Sequence, residues 1–284
     1  MRPQKIEFDS HQRGTHLVIL GGIHGNETCG PQALQKIISE LRSGSLKLLT
    51  GRLTIVPVCN PRAFAANTRY IEENLNRVFQ VSKEPMSYEQ GLANEICPWV
   101  QSGDVLLDLH SMQSAGEPFV FLNAPTPESR TLCEAVGAPL ILRGWPEVYA
   151  AHPELLSSCT QTFADRNGIP NALVECGRHA DPAADIIAYR SVMNVLRHYG
   201  IIEGVRPQAE PSRYIQMTGL YTRKSEQDSF PREWTNFEAF EEGTLLAVRS
   251  SGEEIRAEKP GVMILPSPVS SIGTEWFYVG HLLD

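Results

Sequence analysis

The 284-residue chain has the composition of an ordinary globular protein, with 42% hydrophobic and 20% charged residues. Its formal net charge of -8 and its lack of a basic stripe exclude the usual pattern of a nucleic-acid-binding protein. We recognise no signal peptide and no membrane-spanning stretch, which predicts a cytoplasmic protein with no membrane partner. The six cysteines lie singly, without a C-x-x-C pair, and are therefore predicted to be reduced core residues.

Apolar runs and glycine turns predict strands that alternate with helices. The run at 15–20 precedes two glycines and is typical of a buried parallel strand. A helix is expected next, capped by Thr28 and ended by Gly44. Further strands are predicted at 53–58, 105–110 and 171–175, the last followed by a helix with Ile186, Tyr189, Met193 and Leu196 on its apolar face. This alternation predicts an α/β sandwich around a mostly parallel or mixed sheet.

The pattern changes near Gly204. Beyond it the chain is punctuated by proline and glycine, contains β-rich pieces at 244–248 and 276–279, and has no convincing helix. We therefore predict two domains, a main α/β domain over residues 1–204 and a small β domain over residues 205–284.

Potential metal ligands lie where the predicted strands end, which is where ligands bind in open α/β sheets. The first strand leads into His24 and Glu27, and the third ends at His110. Two histidines and one glutamate with an open fourth position are what a catalytic zinc ion needs. Asp108 lies two residues before His110, shares its face on a strand, and is predicted to orient it. A lone H-x-x-E is common, so the prediction depends on three ligands meeting at the ends of different strands.

A hydrolytic site also needs a base and donors that bind the substrate. Glu175 ends the fourth strand in an apolar run, where burial raises the pKa of a carboxyl group, and is the predicted base. A structural salt bridge is its alternative role. The stretch from 60 to 79 carries arginines and asparagines between apolar residues. Arginine binds a carboxylate through two parallel hydrogen bonds, so this stretch predicts a pocket for a small acid, or else a solvated loop.

Six segments together resemble the succinylglutamate desuccinylase/aspartoacylase family, which has the zinc-carboxypeptidase fold. They occur in the family's order between residue 17 and about residue 180: G-x-H-G-N-E ending at Glu27, N-P-R-A at 60–63, R-Y-I at 69–71, L-N-R-V-F at 75–79, D-L-H at 108–110 and V-E-C-G at 174–177. Six ordered matches make this a specific resemblance.

The resemblance implies a zinc-carboxypeptidase-like α/β/α sandwich with a mixed central sheet as the catalytic domain. It also implies that the C-terminal β domain covers the active site. His24, Glu27 and His110 would bind one zinc ion per chain. Glu175 would be the general base, and Arg69 would polarise the scissile carbonyl. The implied substrate-binding residues are Asn76, Arg77, Arg178 and Tyr278.

The chain departs from the family pattern at three places. Asn74 stands where the family often has an acidic residue, and the segment 176–181 differs from the Gly-Pro-Gln of aspartoacylases. The arginine that reads the aspartate side chain in that branch has no clear match, Arg166 being the nearest candidate. The acyl group and the amino acid are therefore not specified.

The predicted function is a zinc amidohydrolase that cleaves a small N-acyl amino acid, such as an N-succinyl or N-acetyl amino acid. One alternative is a zinc carboxypeptidase acting on peptides, which would need an open cleft. Another is a non-catalytic homologue that binds a metal or ligand, although all three ligands and the base are present. A homo-oligomer and another divalent metal are both compatible with the sequence.

Overall fold

The computed structural model describes residues 1–155, 157–205 and 212–283, with every side chain in those ranges except that of Glu154. The first half contains β1 (Ile6–Asp9), β2 (His16–Gly21), α1 (Cys29–Ser43), β3 (Arg52–Val56), α2 (Pro61–Ala66), α3 (Tyr88–Gln101), β4 (Val105–Met112), β5 (Phe119–Leu122), α4 (Pro127–Val136) and β6 (Leu140–Arg143). The second half contains α5 (Trp145–Ala150), α6 (Thr160–Arg166), β7 (Asn171–Arg178), α7 (Pro182–His198), β8 (Arg213–Thr222), β9 (Ala239–Phe240), β10 (Leu245–Val248), β11 (Glu254–Arg256), β12 (Gly261–Ile264) and β13 (Glu275–Leu283). Two 3-10 turns lie at Leu75–Arg77 and Pro153–Leu155.

An eleven-stranded mixed sheet forms the centre of the molecule, in the order β1-β3-β2-β4-β7-β5-β6-β8-β13-β12-β9. The four neighbours β3, β2, β4 and β7 run parallel, so their carboxyl ends lie along one edge. Strands β10 and β11 form a separate pair. The predicted α/β class and the mixed central sheet are confirmed.

Helices cover both faces of the parallel strands. On β2, Leu17 and Ile19 join a core cluster with α1, α4 and α7, while Val18 and Leu20 join another with α3 and α6. Because successive strand residues point to opposite faces, a strand covered on both sides is expected to contain a near-continuous apolar run. This explains the unbroken apolar run that predicted β2.

The structure differs from the sequence-based prediction in two helix details, the Thr28 cap of α1 and the position of Ile186 on α7. Helix α1 ends at Gly44 in the left-handed conformation, as predicted, but the Thr28 side chain makes no capping hydrogen bond. In α7 the side chain of Ile186 is 68% exposed, so its place on the apolar face is wrong. The buried face of α7 consists of Ala184, Ala188, Ser191, Val192, Met193, Val195 and Leu196, and Ile186 points away from it.

The C-terminal part is built from strands, and residues 212–283 contain no helix. Strand β8 pairs parallel with β6, and β13 pairs antiparallel with β8, so these strands continue the central sheet. The division at residues 204 and 205 stays a prediction, and residues 206 and 207 of the expected boundary lie outside the described residues.

All six cysteines are free thiols, five buried and Cys159 half-buried, in agreement with the predicted reduced core. Within the described ranges, no helix has the length and apolar character needed to cross a membrane.

Candidate metal centre

Three neighbouring parallel strands bring the predicted ligands and base to one edge of the sheet. His24 and Glu27 lie in the loop that follows β2, while His110 belongs to β4 and Glu175 to β7. His110 and Glu175 are direct register partners. The adjacency of β2, β4 and β7 therefore places all four side chains around one point.

Close backbone packing holds the ligand loop in place. Gly25 lies against α2, where an added Cβ atom would be 2.0 Å from the carbonyl carbon of Ala63. The Gly25 N–H also donates a hydrogen bond to the carbonyl oxygen of Arg69, at 3.2 Å. Only glycine fits this close approach, so contact with α2 explains the glycine directly after His24.

Two imidazoles face one carboxylate at this point. His24 Nδ1 is 2.7 Å from Glu27 Oε1, and His110 Nδ1 is 2.9 Å from Glu27 Oε2. One potential ligand atom from each residue lies within 4.8 Å of the other two, and each residue is only 2% exposed. The three predicted ligands are thus brought together in a buried cluster.

Neighbouring oxygen acceptors fix both imidazole rings. His24 Nε2 is 2.9 Å from Asn74 Oδ1, and His110 Nε2 is 3.0 Å from Asp108 Oδ2. Thr160 donates a 2.6 Å hydrogen bond to the same Asp108 oxygen. An N–H at each Nε2 suits these acceptors, which leaves the two Nδ1 atoms to face Glu27. This arrangement matches a metal-binding histidine that donates its other ring N–H to a fixed oxygen.

The protonation states at the cluster follow from burial and from mutual charge. Burial, assisted by the nearby charge of Arg69, lowers the pKa of His24 to about 4. Burial alone would raise the pKa of Glu27, but His24 and His110 outweigh it and hold the pKa well below its usual value. Burial would lower the pKa of His110, but Asp108 and Glu27 raise it well above 6.5. Asp108 and Glu27 thus favour a protonated His110, and a metal ion that binds this histidine would displace the proton. The donor set fits a divalent zinc-like ion.

Glu175 is the fourth member of the group. Its Oε2 atom is buried and has no hydrogen-bond partner within the described part of the chain. Burial, followed by the charge of Glu27, raises the pKa of Glu175 to about 8. A carboxyl group with an unpaired buried oxygen beside a ligand cluster is available for proton transfer.

The predicted substrate-binding residues occupy the same cavity, with one exception. Arg69, Asn76, Arg77 and Tyr278 all line it, and Arg69 Nη1 is 3.1 Å from Glu27 Oε1. Arg178 is exposed at the end of β7 and is not among the lining residues that are described. Its expected substrate contact stays a prediction.

The cavity has a volume of about 690 Å³ and is lined from both halves of the chain. The N-terminal half supplies the ligand cluster and the arginines. The C-terminal part contributes Leu265, Pro266, Ser267, Val269, Ser270, Ser271, Thr274, Glu275 and Tyr278.

Several residues at the cavity escaped the sequence analysis. Glu275 pairs with Arg77 and accepts a hydrogen bond from Tyr149, a buried residue that supports the cavity wall. His179 Nδ1 is 2.8 Å from Ser111 Oγ. Trp145 follows β6, whose short apolar run is the one signal that marks this region in the sequence. His179 lies in the segment 176–181 that departs from the family pattern. Glu275 and Tyr149 depend on sheet order, for which the sequence has no local signal.

Comparison with known proteins gives one family. The family model of the succinylglutamate desuccinylase/aspartoacylase catalytic domain matches residues 13–199. N-alpha-acetyl-L-2,4-diaminobutyric acid deacetylase from Halomonas elongata is 30% identical over 222 residues, which cover 72% of this chain and 60% of that protein. Succinylglutamate desuccinylase from Vibrio vulnificus is 27% identical over 152 residues, which cover 46% of this chain and 44% of that protein. The chain thus spans less than two thirds of either relative.

Solved structures share the fold over nearly the whole chain. A succinylglutamate desuccinylase from Silicibacter sp. TM1040 matches with a TM-score of 0.77 at 26% identity, covering 98% of this chain and 88% of the other. The product-bound ectoine utilization protein EutE from Ruegeria pomeroyi matches with a TM-score of 0.76 at 21% identity, with the same coverage of 98% and 88%. At that lower identity the likeness shows the fold alone. The zinc-carboxypeptidase-like fold expected from the sequence is confirmed.

Proposed function

We propose that this chain, which belongs to the succinylglutamate desuccinylase/aspartoacylase family, is a zinc-dependent deacylase that hydrolyses the amide bond of a small N-acyl amino acid. One observation carries the proposal. The Nδ1 atoms of His24 and His110 converge on the Glu27 carboxylate in the cavity that Glu175 also lines. A structural ion pair does not need an unpaired carboxyl oxygen beside it, whereas a carboxylate that acts as general base must have an oxygen free to accept a proton, as Glu175 Oε2 is.

His24, Glu27 and His110 would hold one zinc ion per chain. Zinc bound there would polarise the scissile carbonyl as a Lewis acid and lower the pKa of water to near neutrality. Asn74 and Asp108 would keep the two imidazoles oriented through their contacts with the Nε2 atoms.

Glu175 would take a proton from the attacking water and deliver it to the leaving amine. Its raised pKa of about 8 suits the delivery of a proton near neutral pH. Burial is the largest cause of that shift, and the negative charge of Glu27 is the second. Glu175 would therefore ionise more readily, and act as a base, once the charge of Glu27 is compensated.

The remaining polar residues would bind the substrate. Arg69 lies beside Glu27, where its guanidinium would donate to the attacked carbonyl oxygen. Asn76, Arg77 and Tyr278 would hold the substrate carboxylate, and Arg178 would contact substrate from the exposed end of β7. Arg77 has five N–H donors and uses two of them for the Asn76 carbonyl and Glu275.

Two further considerations support the substrate class. The curated relatives named above are deacylases of N-acyl amino acids. The lining residues between 265 and 278 also support a C-terminal domain, over residues 205–284, that restricts the catalytic domain over residues 1–204 to small molecules.

We place the protein in the cytoplasm, as its six free thiols favour, without a nucleic-acid or membrane partner.

A metal assay and a hydrolysis screen test the proposal together. The purified full chain should bind about one equivalent of zinc and hydrolyse an N-acetyl, N-succinyl or N-formyl amino acid, and a chelator should stop the reaction. Glu175→Gln should retain zinc but lose activity by roughly a hundredfold or more. The matched control Glu84→Gln alters an exposed carboxylate and should change neither property. Full activity of Glu175→Gln, or stoichiometric zinc without hydrolysis of any member of the panel, would contradict the proposal.

A further inference from the structure

The cavity has an apolar wall that, apart from the Tyr278 hydroxyl, the proposed chemistry does not use. The wall residues all pack in one core cluster or against it: Met112, Phe121, Trp145, Leu155, Leu173, Leu265 and Tyr278. Leu173 lies two positions before Glu175 on β7, and Phe121 on β5 is its register partner. Residues two apart on a strand share a face, so the wall begins directly beside the proposed base.

Aromatic rings make up the centre of this wall. The Phe121 and Trp145 ring centroids are 5.0 Å apart in an edge-to-face arrangement, and those of Trp145 and Tyr278 are 5.2 Å apart. Trp145 also stacks on Tyr149, with 4.6 Å between centroids. Trp145 remains half-buried, so part of its ring surface faces the cavity. An apolar group placed against this surface would remove it from water, which is favourable.

The charged side chains that line the cavity already have partners or roles. His24, Glu27 and His110 form the ligand cluster, and Glu175 is the proposed base. Arg69 lies against Glu27, and Arg77 pairs with Glu275 at 2.7 Å. His179 is hydrogen-bonded to Ser111, and burial lowers its pKa. Among the described lining residues, no charge is left for an acidic or basic substrate side chain.

The position of Arg77, the proposed anchor of the substrate carboxylate, decides which part of the substrate contacts the wall. Arg77 pairs with Glu275, which accepts a hydrogen bond from Tyr149, and the Tyr149 and Tyr278 hydroxyls are 2.8 Å apart. The anchor thus adjoins the aromatic wall. In an amino acid the carboxylate and the side chain share one carbon atom, so a carboxylate on Arg77 puts the side chain, rather than the acyl group, near the rings.

We infer that the substrate is an N-acyl derivative of an amino acid with an uncharged apolar side chain, aromatic or branched aliphatic, which packs on Trp145, Phe121 and Leu173. The inference rests on the proposed function. The exposed Arg166 lies outside the wall, in a second cavity of about 560 Å³ that adjoins this one at Arg77 and Trp145.

A substrate matrix tests the inference in the zinc-loaded full chain. The kcat/KM values are compared for phenylalanine, leucine, aspartate, glutamate and 2,4-diaminobutyrate, each as its Nα-acetyl, Nα-succinyl and Nα-formyl derivative. Within an acyl series that is hydrolysed, phenylalanine or leucine should exceed every charged amino acid by at least about tenfold. A charged amino acid that leads its series would overturn the inference and leave the deacylase proposal intact. No turnover in any series, with zinc bound, would overturn both.

Two tryptophan variants give a matched control. Trp145→Ala should lower kcat/KM for the phenylalanine derivative by about tenfold or more, with a much smaller effect on the glycine derivative. Trp145→Phe should restore most of the loss. Trp99→Ala alters another half-buried tryptophan, which packs against a different core cluster, and should affect both substrates equally. Equal losses on both substrates for Trp145→Ala would contradict a role in side-chain recognition.

Discussion

Arg77 and Glu275 lie 198 positions apart in the sequence, and their side chains meet with 2.7 Å between Nη2 and Oε1. Burial alone would raise the pKa of Glu275, but Arg77 and the hydrogen bond from Tyr149 lower it to about 2. The carboxylate is therefore ionised at neutral pH and fixes the guanidinium that we propose as the substrate anchor.

Replacement of Glu275 by glutamine should weaken substrate binding. In Glu275→Gln the anchor loses its charged partner, so KM for the preferred N-acyl amino acid should rise by roughly 10- to 100-fold, with a smaller change in kcat. Steady-state kinetics separate the two constants. Glu117→Gln breaks an exposed pair with Arg213 and should leave both unchanged. An unaltered KM in Glu275→Gln would refute the orienting role.

Asp108 should control metal affinity without binding the metal. Its Oδ2 atom contacts His110 Nε2 and accepts from Thr160. Asp108→Asn weakens this support, so zinc affinity should fall by about 10- to 100-fold, as measured by competition with a chromophoric chelator. Asp181→Asn keeps a good helix-capping residue and should bind zinc like the parent chain. Equal affinities for Asp108→Asn and the parent chain would argue against this role.

Replacement by alanine should change the free energy of unfolding in opposite directions at Gly25 and at Gly91. A Cβ atom on Gly25 would collide with the α2 backbone, so Gly25→Ala should cost roughly 3 kcal/mol or more of unfolding free energy and reduce zinc binding. Gly91 lies inside α3 with nothing near its Cβ position, so Gly91→Ala should stabilise the chain by up to about 1 kcal/mol. Urea unfolding measures both changes. A neutral Gly25→Ala would mean that the loop can move away from α2.

Protonation of Asp228 at acidic pH should lower the stability of the folded chain. Burial alone would raise its pKa, but the N–H groups of Ser250 and Lys224 and the Arg249 guanidinium lower it from 3.8 to about 2. A depressed folded-state pKa contributes stability above the unfolded value, and this is lost as the pH falls from about 4 to about 2. The difference in Tm between the parent chain and Asp228→Asn should therefore be largest above pH 5 and shrink towards pH 2.

A neighbouring carboxylate provides the control for this titration. Glu226→Gln, in the same loop with an exposed side chain, should show no such trend. A difference in Tm for Asp228→Asn that is constant between pH 2 and pH 7 would exclude this linkage.

The sequence predicted the parallel strands well because they are covered on both faces. Strands β2, β4 and β7 each contain a short apolar run, at 17–20, 105–107 and 172–174. Polar residues follow each run: His24 and Glu27 in the loop after β2, His110 in β4 and Glu175 in β7. The predicted position of these ligands at the ends of parallel strands placed them at one edge of the sheet, and His24, Glu27 and His110 meet there because β2 and β4 are neighbours.

Other parts of the site could not be predicted from local pattern. Glu275 meets Arg77 only because β13 joins the sheet beside β8, and no periodicity encodes that pairing. The role of Trp145 depends on β6 lying between β5 and β8. The exposure of Ile186 depends on which face of α7 turns inward. The buried face is formed by the small residues Ala184 and Ala188 near Ile186, and such residues give a weak hydrophobic signal.

The distance between Arg77 and Glu275 along the chain sets an order of assembly during synthesis. The ribosome makes the ligand loop, β4 and β7 well before β13, so Arg77 has no acidic partner until the last strand of the sheet has been made. The carboxylate that fixes the proposed substrate anchor is therefore among the last parts of the cavity to be synthesised.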